Sequence, residues 1–365
     1  MKKAPLVMMM AGGTGGHIFP ALAVAKALEA KGYRVSWLGT KTGLEARIVP
    51  AAGIRLHHLA VRGLRGKSVR NILSGLLYLI WSVEQATFLM LRYRPALVVG
   101  MGGYVAAPGG VAAMLMGRPL FIHEQNAVAG STNRWLQRIA SRIFAAFDGA
   151  FEESVNAEVV GNPVRAEIVA VGAAREAFDG QRDLHVLVLG GSQGALAINR
   201  VIPDAVAQFE AHEAGFGLSV WHQVGQAHSS DVGAMYAAKG ITHVRISPFI
   251  EDMAAAYAWA DVVVARAGAL TCSELLAAAC PAALVPLPIA IDDHQRKNAQ
   301  HLVKAGAAIV IEQDDLTSEA LAKRWLHWLR DPEQLAAMSG AAQKAAKVDA
   351  TDRIVKACEE VLHGA

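Results

Sequence analysis

Twice along this chain an apolar run passes through a glycine-rich turn into a helical pattern. The first instance is "LVMMMAGGTGGHIFPALAVAKALEA", Leu6 to Ala30, and the second is "HVLVLGGSQGALAINRVIPDAV", His185 to Val206, about 178 residues later. The "GGSQG" of the second mirrors the "GGTGG" of the first. Strand, tight turn and helix in that order open a parallel sheet covered by helices, so the echo predicts two such sheets. Further apolar runs continue the first half at Arg34 to Leu38, "ALVVG" (96–100) and "PLFIHE" (119–124), and "VVGNPV" (159–164) ends it in a turn. The second half continues with "SVWHQVG" (219–225), "HVRISPF" (243–249), "DVVVARAG" (261–268) and "AALVPLP" (282–288), and helical segments close the chain from Ser318 onward. The expected fold class is α/β, with two doubly wound Rossmann-like domains whose mainly parallel sheets face a central cleft, where ligands sit beyond the carboxyl ends of the strands. The first helix is expected over Pro20 to Ala30, with Pro20 near its first turn and Gly32 as its stop.

Length agrees with the echo: 365 residues suit about two domains. Apolar residues make up 53% and charged ones 18%, which supplies buried cores and argues against disorder. A net charge of +3 is too small to argue for nucleic acid, and none is expected as a partner. Cys272, Cys280 and Cys358 have neither metal-type nor redox-type spacing, and their odd number suits a reducing compartment. The opening "MKKAPLVMMMA" imitates a signal peptide, but Gly12 and Gly13 break its apolar run after about eight residues, and we read it as a buried first strand. No stretch reaches the roughly 18 to 20 apolar residues that span a bilayer. The nearest, Ile72 to Val83, ends at Glu84 and Gln85. The expected location is cytoplasmic, in solution or at a membrane surface.

Glycine-rich strand-to-helix turns let backbone N–H groups approach an anion closely, and a helix N-terminus adds roughly half a positive charge. Three turns qualify: Gly12 to Gly16, Gly100 to Tyr104 and Gly190 to Gly194. None carries the lysine of a P-loop. Gly13 and Gly15 begin a dinucleotide fingerprint, but Ile18 stands at its third glycine, and "VSWLGTKTG" lacks the acid that holds an NAD ribose. A fourth turn, "ARAGALTCSELLAAA" (265–279), places Thr271 and Ser273 as cap-type residues at a helix start, with Glu274 in the first turn. Glu274 there is either a capping residue or a clamp whose carboxylate accepts both hydroxyls of a ribose. The second geometry suits a nucleotide sugar.

"GGTGGHIFPALAVA", "GMGGYVAAP", "HEQNAVAGSTNR", "GNPVR", "GGSQGA", "RAGALTCSEL" and "DDHQRKNA" (292–299) together resemble the MurG family, over Leu6 to about Gly306 and in consistent order. These transferases add N-acetylglucosamine to lipid I, N-acetylmuramyl-pentapeptide-diphosphate-undecaprenol, to give lipid II for peptidoglycan. The resemblance implies the GT-B fold, with residues 1–162 as an acceptor and membrane-facing domain and 163–340 as the UDP-N-acetylglucosamine domain. Residues 341–365 would form a helix returning to the first domain. It further implies that the backbone of Ile250 reads uracil, Glu274 the ribose hydroxyls, and Ser192 with Arg165 the diphosphate. Ala269, Leu270, Thr271, Cys272 and Ser273 would supply the helix end, Gln295 and Asn298 would contact the sugar, and Asn126 would approach it from the first domain. Thr14, Gly15 and Gly16 would belong to the shared site, and Gly13, Gly102, Gly103 and Tyr104 to the lipid diphosphate. Between Val61 and Trp81, Arg62, Arg65, Lys67 and Arg70 accompany Leu76, Leu77, Leu79, Ile80 and Trp81. Such a segment suits an anionic membrane surface at the cytoplasmic face of the inner membrane, or else a buried helix after a solvated loop. Proteins of cell-wall synthesis are further expected partners.

The transfer implied is inverting: the C4 hydroxyl of the muramyl sugar displaces UDP in line. It needs a base for the hydroxyl proton and stabilisation of the leaving diphosphate. No Asp-x-Asp pair occurs, so no metal and no cofactor is expected; helix N-termini, Ser192 and Arg165 would carry the second task. For the base, His17 closes the first glycine turn and an imidazole exchanges protons near neutral pH. Glu124, at a strand end in "HEQN", is the rival, and His123 beside it is expected to be structural. Three other readings stay open here: a UDP-N-acetylglucosamine 2-epimerase, a nucleotide-sugar sensor without chemistry, and a Rossmann oxidoreductase.

Overall fold

All five residues of the first strand, β1 (Leu6–Met10), are buried, as expected of a non-alternating apolar run covered on both faces. The computed structural model describes residues 4–61, 69–190, 195–212, 217–288 and 293–363. They fall into two units, one of Met1–Val164 with Val348–Ala365 and one of Arg165–Lys347.

In the first unit β1 pairs with β2 (Arg34–Gly39), and β3 (Arg55–His58) lies outside β2. On the other side follow β4 (Leu97–Gly100), β5 (Leu120–Glu124), β6 (Arg142–Ala145) and β7 (Ala157–Val159), all parallel, in the order β3-β2-β1-β4-β5-β6-β7. The helices are α1 (Gly15–Ala30), α2 (Glu45–Ala51), α3 (Val69–Tyr93), α4 (Ala106–Leu115) and α5 (Ser131–Leu136). β1 sends alternate residues into two cores. Val7 and Met9 pack with Ile18, Val24 and Leu28 of α1, and with Ile354, Val355 and Cys358 of the C-terminal helix (Ala350–His363). Met8 and Met10 pack with Ala86 and Met90 of α3 and Ala106 and Ala112 of α4. The buried Trp37 donates its indole N–H to the Ala11 carbonyl at 2.8 Å, which ties β2 to the turn after β1.

The second unit contains α6 (Ala166–Ala174), β8 (Leu184–Leu189), α7 (Leu196–His212), β9 (Leu218–Gln223), α8 (Ser229–Ala237), β10 (Arg245–Ser247), α9 (Met253–Trp259) and β11 (Val262–Ala265). It continues with α10 (Ala269–Ala277), β12 (Ala282–Leu284), α11 (His294–Ala305), β13 (Ala308–Val310), α12 (Ser318–Arg330) and α13 (Pro332–Ala345). Its sheet is again wholly parallel, in the order β10-β9-β8-β11-β12-β13. The C-terminal helix, α14, belongs to the first unit; the expected boundary at 340 lies inside α13, and the chain leaves the second unit after Lys347. In each sheet the direction of winding reverses beside the central strand, between β1 and β4 and between β8 and β11. That reversal leaves a crevice at the strands' carboxyl ends, where such folds bind ligands.

Two local expectations are corrected. α1 starts at Gly15, and Pro20 is its sixth residue, buried inside the helix rather than in its first turn. Thr14, extended at φ −107°, is the N-cap, so two glycines usually read as helix breakers form the first turn. α10 is capped by Gly268, which leaves Thr271 and Ser273 inside the helix and Glu274 in its second turn.

Candidate functional site

The turns after β1 and β4 interlock at the carboxyl end of the first sheet. Gly13 and Gly102 have φ of +93° and Gly103 of +81°, a region that favours glycine. A Cβ at Gly103 would collide with the Gly12 carbonyl, so the close approach of the two turns requires a bare backbone. Thr14 makes no side-chain cap bond, and no acid occupies the first turn of α1. The N–H groups of Gly15 and Gly16 have no intrahelical acceptor, as at any helix start, and carry the partial positive charge of the helix dipole. α4, which opens after Tyr104, likewise has neither a side-chain cap nor a first-turn acid. The amide of Gly13, expected at the lipid diphosphate, donates to Glu45 Oε2 at 3.1 Å. Glu45 is fully buried, and its Oε1 accepts from Thr40 N at 2.9 Å and Thr40 Oγ1 at 2.7 Å. Tyr104 is half exposed.

His17, in the first turn of α1, meets Gln125, which follows β5: Nδ1 lies 2.9 Å from Gln125 Oε1. The Gln125 amide nitrogen lies 2.9 Å from the Met101 carbonyl and 3.1 Å from His123 Nδ1. His123 Nε2–H donates to the Gly161 carbonyl at 2.9 Å. Burial lowers the His123 pKa to about 4, against the opposing pull of that hydrogen bond. A Cβ on Gly102 would sit 2.5 Å from His17 Nδ1, so the turn after β4 touches this pair directly.

Glu124, the rival base, is buried and holds a turn together. Its Oε1 accepts from Asn126 N (2.9 Å) and Nδ2 (3.2 Å), and its Oε2 from Gly130 N (3.1 Å) and Asn133 Nδ2 (2.8 Å). Asn126, expected at the donor sugar, is thereby oriented by Glu124.

In the second unit Glu274 is buried and receives Arg165 Nη2 on Oε1 at 2.9 Å and the Tyr257 hydroxyl on Oε2 at 3.1 Å. Burial raises the Glu274 pKa, while Arg165 and the Tyr257 hydrogen bond pull it down. Burial, then the carboxylate beside it, push Tyr257 well above the usual phenol range. Arg165, the N-cap of α6, also borders a depression of about 380 Å³ lined by Glu167, Glu251 and Asp252; those carboxylates make it a poor diphosphate receptor. α10 opens on Gly268 without a side-chain cap or first-turn acid, so Ala269, Leu270 and Thr271 present a helix start suited to an anion. Cys272 is fully buried, its thiol pushed up to about 12 by burial, and its N–H donates to the Gly268 carbonyl at 2.9 Å. Ile250 is buried after β10. Gln295 Oε1 accepts from Leu287 N at 3.0 Å, whereas Asn298 is fully buried and donates to the Ala267 carbonyl at 3.1 Å, behind the turn rather than on its surface. Ser192 lies outside the described residues, as do Arg62, Arg65 and Lys67.

Sequence reasoning missed Gln125, Glu45 and Tyr257. Gln125 stands in the quoted "HEQN", but nothing local reveals that its amide links two histidines. Glu45 lies 32 residues from the glycine it holds.

Residues 7–145 match the glycosyltransferase family 28 N-terminal domain and residues 185–354 the C-terminal domain of the same family. The chain is 48% identical to the UDP-N-acetylglucosamine–N-acetylmuramyl-(pentapeptide) pyrophosphoryl-undecaprenol N-acetylglucosamine transferase of Cellvibrio japonicus, over 98% of this chain and 99% of that one. It is 50% identical to the protein of that name from Chromohalobacter salexigens, over 97% and 96% of the two chains. The crystal structure of Acinetobacter baumannii MurG superposes with a TM-score of 0.81 at 39% identity, covering 98% of this chain and 99% of that one.

Proposed function

We propose a reaction for this chain from one premise: it belongs to the MurG family of glycosyltransferase family 28, has the GT-B fold and is a glycosyltransferase. The reaction is transfer of N-acetylglucosamine from UDP-N-acetylglucosamine to lipid I, giving lipid II; its relatives are named as N-acetylglucosamine transferases of UDP-N-acetylglucosamine and N-acetylmuramyl-(pentapeptide) pyrophosphoryl-undecaprenol. On this chain the reading is carried by one observation: interlocked glycine turns closed by His17, whose Nδ1 is tied back to Gln125.

The C4 hydroxyl of the muramyl sugar attacks the anomeric carbon as UDP departs, and a single in-line displacement inverts that carbon. His17 takes the hydroxyl proton through Nε2. Glu124, saturated by four donors, serves as the scaffold for Asn126 rather than as the base. Charge on the leaving diphosphate is met by the start of α10, by Arg165 and by Ser192. The absence of any Asp-x-Asp pair from the sequence supports transfer without a divalent metal. Arg165 reaches the diphosphate by releasing Glu274, whose carboxylate then accepts the ribose hydroxyls. Ile250 reads uracil through its backbone, and Gln295 contacts the sugar.

The acceptor diphosphate lies on the first unit, at Gly102, Gly103 and Tyr104. Anchoring at an anionic membrane surface, at the cytoplasmic face of the inner membrane, is supported by α3. Its exposed Ile80, Trp81, Phe88 and Leu91 fall within about a 100° arc of the helix. No helix among the described residues is long and apolar enough to cross a membrane.

The test is release of UDP from UDP-N-acetylglucosamine with and without a lipid I analogue, each with and without EDTA. Acceptor-dependent release that EDTA leaves unchanged, with the product's anomeric proton reporting the configuration opposite to the donor's, is the expected result. A manno isomer formed without acceptor identifies an epimerase instead. No release with acceptor identifies a sensor, and loss on EDTA overturns the metal-free chemistry.

A further inference from the structure

We propose that Gln125 is a positioning residue that holds His17 in its Nδ1–H tautomer, so that Nε2 is the basic nitrogen; the proposal rests on the reading of His17 as the base. The direction of every hydrogen bond in the chain follows from its two ends, which are backbone carbonyls. The Met101 carbonyl only accepts, so the group 2.9 Å from it must be the Gln125 NH₂. Oε1 of Gln125 therefore faces His17 at 2.9 Å, and an amide oxygen only accepts, so His17 Nδ1 must donate. At the other end the Gly161 carbonyl fixes the proton of His123 on Nε2. His123 Nδ1 is left as acceptor for the second N–H of the Gln125 amide, at 3.1 Å. No link reverses without placing two donors or two acceptors face to face. His123 is fully buried, and burial keeps its ring neutral, which preserves the acceptor.

Gln125 has little freedom to leave this arrangement. It is 1% exposed, its own carbonyl accepts from Asn162 Nδ2 at 3.1 Å, and Gly102 packs against its oxygen. In water a neutral imidazole favours the Nε2–H form, which would point the lone pair of His17 at Gln125 and away from any hydroxyl. The network inverts that default. Acting through a second group to set a histidine's tautomer is a recurrent device in proton-transfer sites.

The proposal is tested on the full chain with ¹⁵N-labelled histidine, by long-range ¹H–¹⁵N correlation at about pH 8, above the ordinary imidazole range. The 13 histidines are sorted by difference against His17→Ala. We expect wild-type His17 with a protonated Nδ1 and a bare Nε2. Gln125→Met, close in volume but without the amide, should populate Nε2–H and lower kcat on the order of 10²-fold, with KM for UDP-N-acetylglucosamine nearly unchanged. A wild-type spectrum with the proton on Nε2 overturns the proposal, whether or not the variant folds. A tautomer that switches in Gln125→Met with kcat retained upholds the Gln125 contact and removes its catalytic use, which places the failure in His17 as base.

Discussion

Gly102 combines a backbone at φ +93° with a missing Cβ that would lie 2.5 Å from His17 Nδ1. Gly102→Ala should therefore strain the turn by about 1–3 kcal/mol and push His17 off Gln125. The expected outcome is a kcat reduced at least about tenfold, measured beside thermal unfolding to show that the fold persists. The fully buried His123 and His222 give a pH dependence. Burial lowers His123 to about 4 and His222 to about 3, whereas an unfolded chain protonates histidine near 6.5. Folded pKa values below the unfolded one mean full stability above about pH 6.5, lost as pH falls toward those values. Each ring should cost about 2 kcal/mol between pH 6.5 and 5, one in each unit. Urea unfolding at pH 7 and pH 5 checks this, and equal stabilities would show that the rings protonate while folded. His17 was visible in the sequence because it closes a glycine turn. Gln125 and Glu45 were not, because their partners come from other strands, and a buried carboxylate looks like any first-turn acid until its donors are placed.

Helices and strands were readable where an apolar run was long. β1, β5 and β8 announce themselves; β3, "RLHH", and β7, "AEV", are too short and polar to do so, and exist because a neighbouring strand pairs them. Helix starts were harder. Glycines began α1 and capped α10, where backbone closeness outweighs helix propensity. Glu274 moved inward by a turn as a result, from a cap position to a buried pair with Arg165 and Tyr257. α3 carries a prediction of its own. Glu84 and Gln85 interrupt its apolar run, but the helix continues to Tyr93 and extends an exposed apolar face to Phe88 and Leu91. Trp81→Glu combined with Phe88→Glu should weaken binding to anionic phospholipid vesicles at least about tenfold, since each large apolar side chain contributes about 1.5–3 kcal/mol on burial. Exposed positions should leave the unfolding temperature nearly unchanged. Unaltered vesicle binding would remove this face from the membrane contact.

Two sheets of one winding pattern, β3-β2-β1-β4 and β10-β9-β8-β11, account for the echo between "GGTGG" and "GGSQG". Each sheet reverses beside the strand that precedes a glycine turn. The sequence therefore disclosed the two strands at which the winding reverses, although it did not disclose that the Glu45 carboxylate already occupies the Gly13 amide. α14 returns to the first unit and packs Ile354, Val355 and Cys358 against α1 and β1, under the turn that carries His17. In the proposed reaction proton removal falls to that turn and donor recognition to the second unit, and His17→Ala separates the two tasks. Steady-state kinetics with a lipid I analogue, paired with calorimetric titration of UDP, should show kcat down by about 10²–10⁴-fold while the Kd for UDP stays within about threefold. Equal losses in turnover and in UDP affinity would make His17 a binding residue and contradict the account.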